Sequence, residues 1–136
     1  MILHIVSSYT PETIRKLESK NIKIEGFLSD KDLYLLYQKC RIAIAPLRFG
    51  AGVKGKIVEA AYNEIPMVTT SIGGEGLDNS IGAFIVEDNA KKMANVISEL
   101  YEDYFKLKNM SDSGKILINK YFSFNKAKEV IMKDFY

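Results

Sequence analysis

"RIAIAPLRFGAGVKGKIVEAAYNEIPMVTT", residues 41 to 70, reads in three parts. "RIAIAPL" (41–47) is a short apolar run closed by proline, which is the pattern of a buried strand. "VKGKIVEAAYN" (53–63) carries its apolar residues at helical spacing, and "PMVTT" (66–70) is a second short strand. A strand, a helix and another strand in so few residues form the unit that connects parallel neighbours in a sheet. Between the first strand and the helix, Gly50, Gly52 and Gly55 mark a glycine-rich turn.

The same alternation extends in both directions. "ILHIV" (2–6), "IKIEGF" (22–27) and "AFIVE" (83–87) read as strands, while "PETIRKLESK" (11–20) and "DKDLYLLYQK" (30–39) read as helices. Thr10 before Pro11, and Ser29 before "DKD", are expected to cap those helices. The expected fold is α/β: a doubly wound, Rossmann-like parallel sheet covered by helices on both faces, in a single domain spanning residues 1–136. After residue 87 the strands stop. The remainder predicts three helical pieces, broken near Asn109–Asp112 and again near Phe122–Asn125.

Composition narrows the function classes. The 136 residues are 47% hydrophobic and 26% charged, enough to build one core. Lys plus Arg number 19 against 17 Asp plus Glu, a net +2 with no basic run, which is not the footprint of a nucleic-acid binder. Cys40 is the only cysteine and reads as a small buried hydrophobe in a reducing setting. No apolar stretch approaches the ~20 residues needed to span a bilayer, and no signal-peptide pattern opens the chain. The expected location is cytoplasmic, or peripheral to the inner face of a membrane.

The glycine turn matches two phosphate-binding patterns in part. Gly50, Gly52 and Gly55 fit G-x-G-x-x-G, but the dinucleotide fingerprint belongs at the first strand-to-helix turn and this one follows the third strand. Gly50 through Lys56 fit G-x-x-x-x-G-K, but the next residue is Ile57, not the Ser or Thr that holds magnesium. Common to both is the physics: glycines admit close backbone approach, and a helix starting near Val53 points free N–H groups at an anion. Lys54 and Lys56 add charge, with Lys54 nearer the turn. Glu59, one turn into the helix, suits hydroxyl groups such as those of a ribose. Phosphate at the helix tip and hydroxyls beside Glu59 together describe a nucleotide. The bland alternatives are a tight connection for the glycines and an ion pair between Glu59 and Lys56.

"SDKDLYLLYQKCRIAIAPLRFGAGVKGKIVEAAYNEIPMVTTSIGGEGL", with "YFSFNKA" before the last helix, resembles the C-terminal, donor-binding domain of the retaining group 1 glycosyltransferases of GT-B fold. The resemblance implies a nucleotide-sugar donor, UDP- or GDP-linked, as substrate, with no cofactor and no metal. It places Glu59 on the ribose hydroxyls, and the backbone of Gly50, Gly52, Val53 and Lys54 against the sugar and diphosphate. It assigns no catalytic residue within this chain. A role in building cell-surface polysaccharide or glycoconjugate follows from the same resemblance.

Several positions depart from the family's pattern. Ala51 stands where many members carry a first glutamate, eight positions before Glu59, and Glu64 stands where a glycine usually ends the helix. Glu64 thus implies either a turn at Asn63 or left-handed strain. "ILHIVSSYT" matches the family's second strand, so the first strand, its diphosphate-gripping loop and the acceptor domain are expected to lie on another segment or a partner chain. Either the sheet closes up without that strand, or something else, such as a second copy of the chain, fills the open position. The alternative reading is a non-catalytic module of the same fold acting in assembly or regulation. A nicotinamide-dependent enzyme is more distant, since no acidic residue closes a second strand in the expected place. "SIGGEGLDN" (71–79) is either part of the same cleft or a plain surface loop, His4 is assigned no role, and the aromatic run "LYEDYFKL" (100–107) reads as core, with a surface that met the missing domain as the alternative.

Overall fold

A computed structural model describes residues 1–135, and these fall into two compact units, Met1–Lys39 and Cys40–Tyr136. The first holds β1 (Leu3–Val6), α1 (Glu12–Arg15), β2 (Ile22–Gly26) and α2 (Asp30–Tyr37). The second holds β3 (Ala43–Ala45), α3 (Gly55–Tyr62), β4 (Met67–Thr69), α4 (Ser71–Gly74), a 3-10 turn (Asn79–Ile81), β5 (Phe84–Val86), α5 (Ala90–Glu102), α6 (Tyr104–Tyr121) and α7 (Phe124–Phe135). All five expected strands form and all pair in parallel, but in two sheets: β1 with β2, and β3-β4-β5 in that order. β1 and β3 each have a hydrogen-bonded neighbour on one side only among the described residues.

In the first unit β1 and β2 run in register from Leu3↔Ile22 to Ile5↔Ile24, and then a bulge shifts Val6 onto Gly26. Gly26 has φ +67°, a backbone that favours glycine. His4 is packed on β1 and bonded through Nδ1 to Glu25 Oε1 at 2.6 Å. Ser29 caps α2 as expected: its Oγ accepts from Asp32 N at 3.1 Å and donates to Asp32 Oδ2 at 2.6 Å. Thr10 does not cap α1. Pro11 takes the N-cap position, the helix runs only four residues, and the buried Thr10 hydroxyl has no hydrogen-bond partner among the described residues. Thr10 is also the one fully buried residue among those described in this unit, so the β1–β2 pair forms with no buried apolar core of its own.

The core lies in the second unit. β4 is its central strand, with Met67, Val68 and Thr69 all buried. Val68 packs with Met93 and Leu100 of α5 and Met110 of α6, bordered by Ile44, Ile85 and Leu107. Ile57, Ala60 and Ala61 of α3 are buried as well, and the small Gly114 of α6 lets that helix approach them: a Cβ there would lie 3.3 Å from the Ala61 carbonyl. Cys40 is half-buried rather than buried, and that burial pushes its thiol pKa up.

The helical end differs from expectation at one break. α6 runs straight through Asn109–Asp112, because Met110, Gly114 and Leu117 are buried along one face and Lys108 pairs with Asp112 at i,i+4. The interruption falls instead at Asp103, whose φ −93°, ψ 85° is not helical and whose side chain caps α6 by accepting from Lys106 N at 2.9 Å. This divides the run at 100–107: Leu100 is core, whereas Tyr104 and Phe105 are exposed. The second break is where it was expected, between Tyr121 and Phe124.

α3 ends in a Schellman motif. Ile65 N donates to Ala60 O and Glu64 N to Ala61 O, which puts Glu64 in the left-handed position, at φ 62°, where glycine is favoured. Since Glu64 contributes only an exposed ion pair with Lys115, Glu64→Gly is expected to stabilise the protein by about 1 kcal/mol in denaturant titration. Gly73 behaves oppositely. A Cβ there would sit 1.9 Å from Thr69 Oγ1, which itself donates to Ala45 O at 2.8 Å. Gly73→Ala is expected to cost about 3 kcal/mol through that collision and the lost bond, read as a lowered melting temperature.

The 3-10 turn is tied to the end of α6 through Asp78. Its carboxylate accepts from the Ser80 hydroxyl at 2.5 Å, from Tyr121 Oη at 2.9 Å and from Lys120 Nζ at 3.3 Å, which holds its pKa at about 2 against an ordinary 3.8. A lowered carboxylate stabilises the folded state above its unfolded value, and the contribution is lost as pH falls through the folded one. Between about pH 4 and pH 2 the stability of the wild type should therefore fall more steeply than that of Asp78→Asn, measured as melting temperature against pH.

Candidate functional site

The glycine turn lies after the carboxyl end of β3, reached through Pro46–Phe49. β3 is at the edge of its three-stranded sheet, whose order β3-β4-β5 is sequential, so no reversal of strand order occurs within this unit. The turn needs its glycines: Gly50 has φ +131° and Gly52 φ +68°. α3 begins at Gly55, two residues later than expected, with Lys54 at the N-cap in extended conformation.

The start of α3 is distinctive. Side-chain oxygens cap α2, α4, α5 and α6, from Ser29, Thr70, Asn89 and Asp103. α3, like the four-residue α1, has no side-chain cap, but unlike α1 it also has no acidic residue in its first turn. Its leading N–H groups and the positive end of its dipole are therefore left without a protein anion.

Of the two lysines, Lys54 is committed within the protein. Its stem folds back over Gly50, where a Cβ would lie 3.0 Å from Lys54 Cε, and its ammonium donates to the Gly52 carbonyl and to Glu75 Oε2 at 3.3 Å. Only 11% of the Lys54 side chain is exposed. Lys56 is exposed in the first turn of α3, and no ion pair engages it among the described residues. The same holds for Arg48, exposed in the loop leading to the turn. These two are the cations free to meet an anionic ligand.

Glu59 is exposed on α3, and its carboxylate has no partner among the described residues, Lys56 included. With Val53, Gly55, Val58, Tyr62, Ile118 and Phe122 it lines an open groove of about 650 Å³. That volume is in the range of small-molecule sites, and the lining is mainly apolar with one free carboxylate. The structure thus brings Val53, Gly55 and Glu59 into one groove, whose lining does not include Gly50 or Gly52, and leaves Lys54 folded into the turn.

The 71–79 segment faces the turn, a placement its residues leave open. A Cβ at Gly76 would lie 3.0 Å from Val53 Cγ2, and Glu75 reaches Lys54. Two further bonds fix the segment: Thr70 Oγ1 donates to Leu47 O at 2.7 Å, and Asp88 Oδ1 accepts from Ser71 N at 2.8 Å and from Ser71 Oγ at 3.0 Å. Gly73 and Gly74 are required by packing, against Thr69 and Phe84. Glu75 and Arg48 are the residues that sequence reasoning missed. Arg48 carried a signal, a cation beside the glycine turn, whereas the Glu75–Lys54 pair spans 21 residues and has no local pattern.

Among the described residues no group of His, Cys, Asp and Glu is arranged to hold a metal ion, and no helix is long and apolar enough to cross a membrane.

An uncharacterized 44.6 kDa protein in the cps region of Klebsiella pneumoniae is 41% identical over 61 residues, 45% of this chain and 16% of that protein. The crystal structure of HepE from Anabaena in complex with UDP-glucose matches with a TM-score of 0.72 at 17% identity, over 97% of this chain and 40% of that one. The chain thus spans less than half the length of either relative. The structural likeness shows the expected Rossmann-like α/β fold, with parallel strands and a helical C-terminus. The family model for glycosyl transferases group 1 matches residues 1–103, three quarters of the sequence, and on that match the chain belongs to the group 1 glycosyl transferase family.

Proposed function

We propose that this chain is the donor-binding half of a glycosyltransferase, and that it takes a UDP- or GDP-linked sugar in the synthesis of a cell-surface polysaccharide. The observation that carries the reading is the uncapped start of α3 at the glycine turn, with Glu59 one turn along the same helix. A diphosphate at the helix tip would receive the N–H groups that no side chain of the protein takes, and Lys56 and Arg48 would supply mobile positive charge. Glu59 would accept from the two ribose hydroxyls, since an unpaired carboxylate discriminates strongly between a neutral diol and a phosphate. The same helix end would stabilise the diphosphate as it leaves, with no metal ion and no cofactor in the scheme. HepE, which shares the fold, was crystallised with UDP-glucose, and the Klebsiella relative lies in a cps region; both agree with this substrate class and setting.

The acceptor is assigned to another segment or a partner chain, and the singly paired β1 and β3 offer edges through which a second copy could join. We place the chain in the cytoplasm or at the inner face of a membrane, where nucleotide sugars are made. A second reading, a non-catalytic module acting in assembly or regulation, is favoured by one observation: Lys54 is already neutralised by Glu75.

Amide NMR titration of the wild type and Glu59→Ala with UDP, GDP and NAD separates the two. UDP or GDP is expected to shift peaks from Gly50 to Glu59, and Glu59→Ala is expected to weaken binding about 10- to 100-fold, as loss of a charge-assisted hydrogen bond does. Because Glu59 is exposed, the variant should remain as stable as the wild type to within about 0.5 kcal/mol. A folded sample in which no nucleotide moves any peak would leave the module reading in its place.

A further inference from the structure

We propose that Glu75 is a built-in competitor for the donor's diphosphate: a latch that holds the Lys54 ammonium in the empty site and is displaced when the anionic ligand arrives. The inference rests on the donor-site reading of the glycine turn and adds to it a regulating residue from a different loop.

The pair is asymmetric in a way that suits exchange. Lys54 is the anchored partner, with a side chain 11% exposed, a stem folded over Gly50 and a second bond to the Gly52 carbonyl. Glu75 is the free partner, with a side chain 54% exposed and one carboxylate oxygen, Oε2, at 3.3 Å from Nζ. A polyanion can therefore reach the ammonium from solvent by replacing an exposed carboxylate, and the lysine need not move. The backbone permits the release. Glu75 follows the last residue of α4, and Gly76 behind it has φ +76°, beside Val53 at the turn. The anchor upstream of the latch is firm, because Thr70 and Ser71 are tied to Leu47 and Asp88. Glu75 can swing while the loop that carries it stays in place.

The electrostatic consequence is selective. With the latch closed, Lys54 and Glu75 sum to zero, and a diphosphate meets a carboxylate where it needs a cation. The cost falls only on ligands with phosphate, since a nucleoside has nothing to offer Lys54. The apparent affinity for the diphosphate is reduced by the fraction of molecules with the latch open.

The test compares UDP and uridine binding by calorimetry or amide NMR in the wild type, Glu75→Gln, Lys54→Met and the double variant. Glu75→Gln keeps the side chain's shape at an exposed position and removes its charge. It is expected to bind UDP about three- to tenfold tighter than the wild type, the range set by a partly exposed ion pair, with uridine showing no such gain. In the Lys54→Met background the gain should vanish, since the latch then has nothing to hold. Glu75→Ala should change UDP affinity in the same direction as Glu75→Gln. Equal or weaker UDP binding by Glu75→Gln overturns the latch, and weaker binding would make Glu75 an acceptor for ligand hydroxyls. A gain that persists with Lys54→Met overturns it too, as a general charge effect. UDP binding by none of the four proteins overturns the donor-site reading itself, an outcome distinct from equal binding by all.

Discussion

Everything near the candidate site hangs on the carboxyl end of β4, where two consecutive threonines turn their hydroxyls onto the chain leaving β3. Thr69 Oγ1 donates to Ala45 O inside the core and Thr70 Oγ1 donates to Leu47 O beside it. Ala45 is the last residue of β3, where its carbonyl also accepts from Leu47 N at 2.9 Å, and Leu47 lies beyond the strand; a buried carbonyl needs such partners. The threonine hydroxyls add a bond to each of these acceptors and thereby fix the exit of β3. Thr70 has a second task, since its hydroxyl oxygen accepts from Gly73 N and caps α4. Gly73 in turn has no Cβ because Thr69 occupies that space. One short hydrogen-bonded knot thus sets both the path into the glycine turn and the position of the loop that faces it.

From this knot the site follows with little further specification. The chain leaves β3 at a fixed point, passes Arg48, and turns on Gly50 and Gly52 into an α3 whose far side is locked by Ile57, Ala60 and Ala61. Gly114 brings α6 onto that locked side, and Ile118 and Phe122 then complete the groove that Glu59 shares. The rigid parts are apolar and buried. The polar groups that could meet a ligand, Arg48, Lys56, Glu59 and Glu75, are exposed on top of them, as expected when function is carried by loops and helix ends on a packed scaffold.

The fold was largely legible because its strands are short Ile- and Val-rich runs closed by turn residues, a signal that is local and needs no knowledge of neighbours. All five lie where the sequence puts them. What misled was also local. Asn109, Ser111 and Asp112 disfavour helix by propensity, but burial of Met110 among them and of Leu117 further along outweighs a few tenths of a kcal/mol per residue. Thr10 looked like a cap from its place before Pro11, yet its own side chain is buried and the proline itself takes the cap position. At the site, the glycines and Glu59 were readable by type and spacing. The partner of Lys54 was not, since two residues 21 apart meet only through the threonine knot.

The two sheets carry a stability argument of their own. A pair of parallel strands gains few hydrogen bonds for the chain it orders, and β1 and β2 do so without a fully buried apolar residue, while Leu3 and Val6 of β1 stay exposed at 40% and 39%. The second unit is different in kind: a central strand buried along its whole length, three long helices and a contiguous core. Local opening free energies track such differences, so the first unit belongs to the low end of the range and the second to the high end. The glycine turn, Glu59 and Glu75 all sit in the stable unit. A ligand site whose phosphate-facing elements are built on the better-packed unit needs only its exposed side chains, and not its backbone, to rearrange when the ligand arrives.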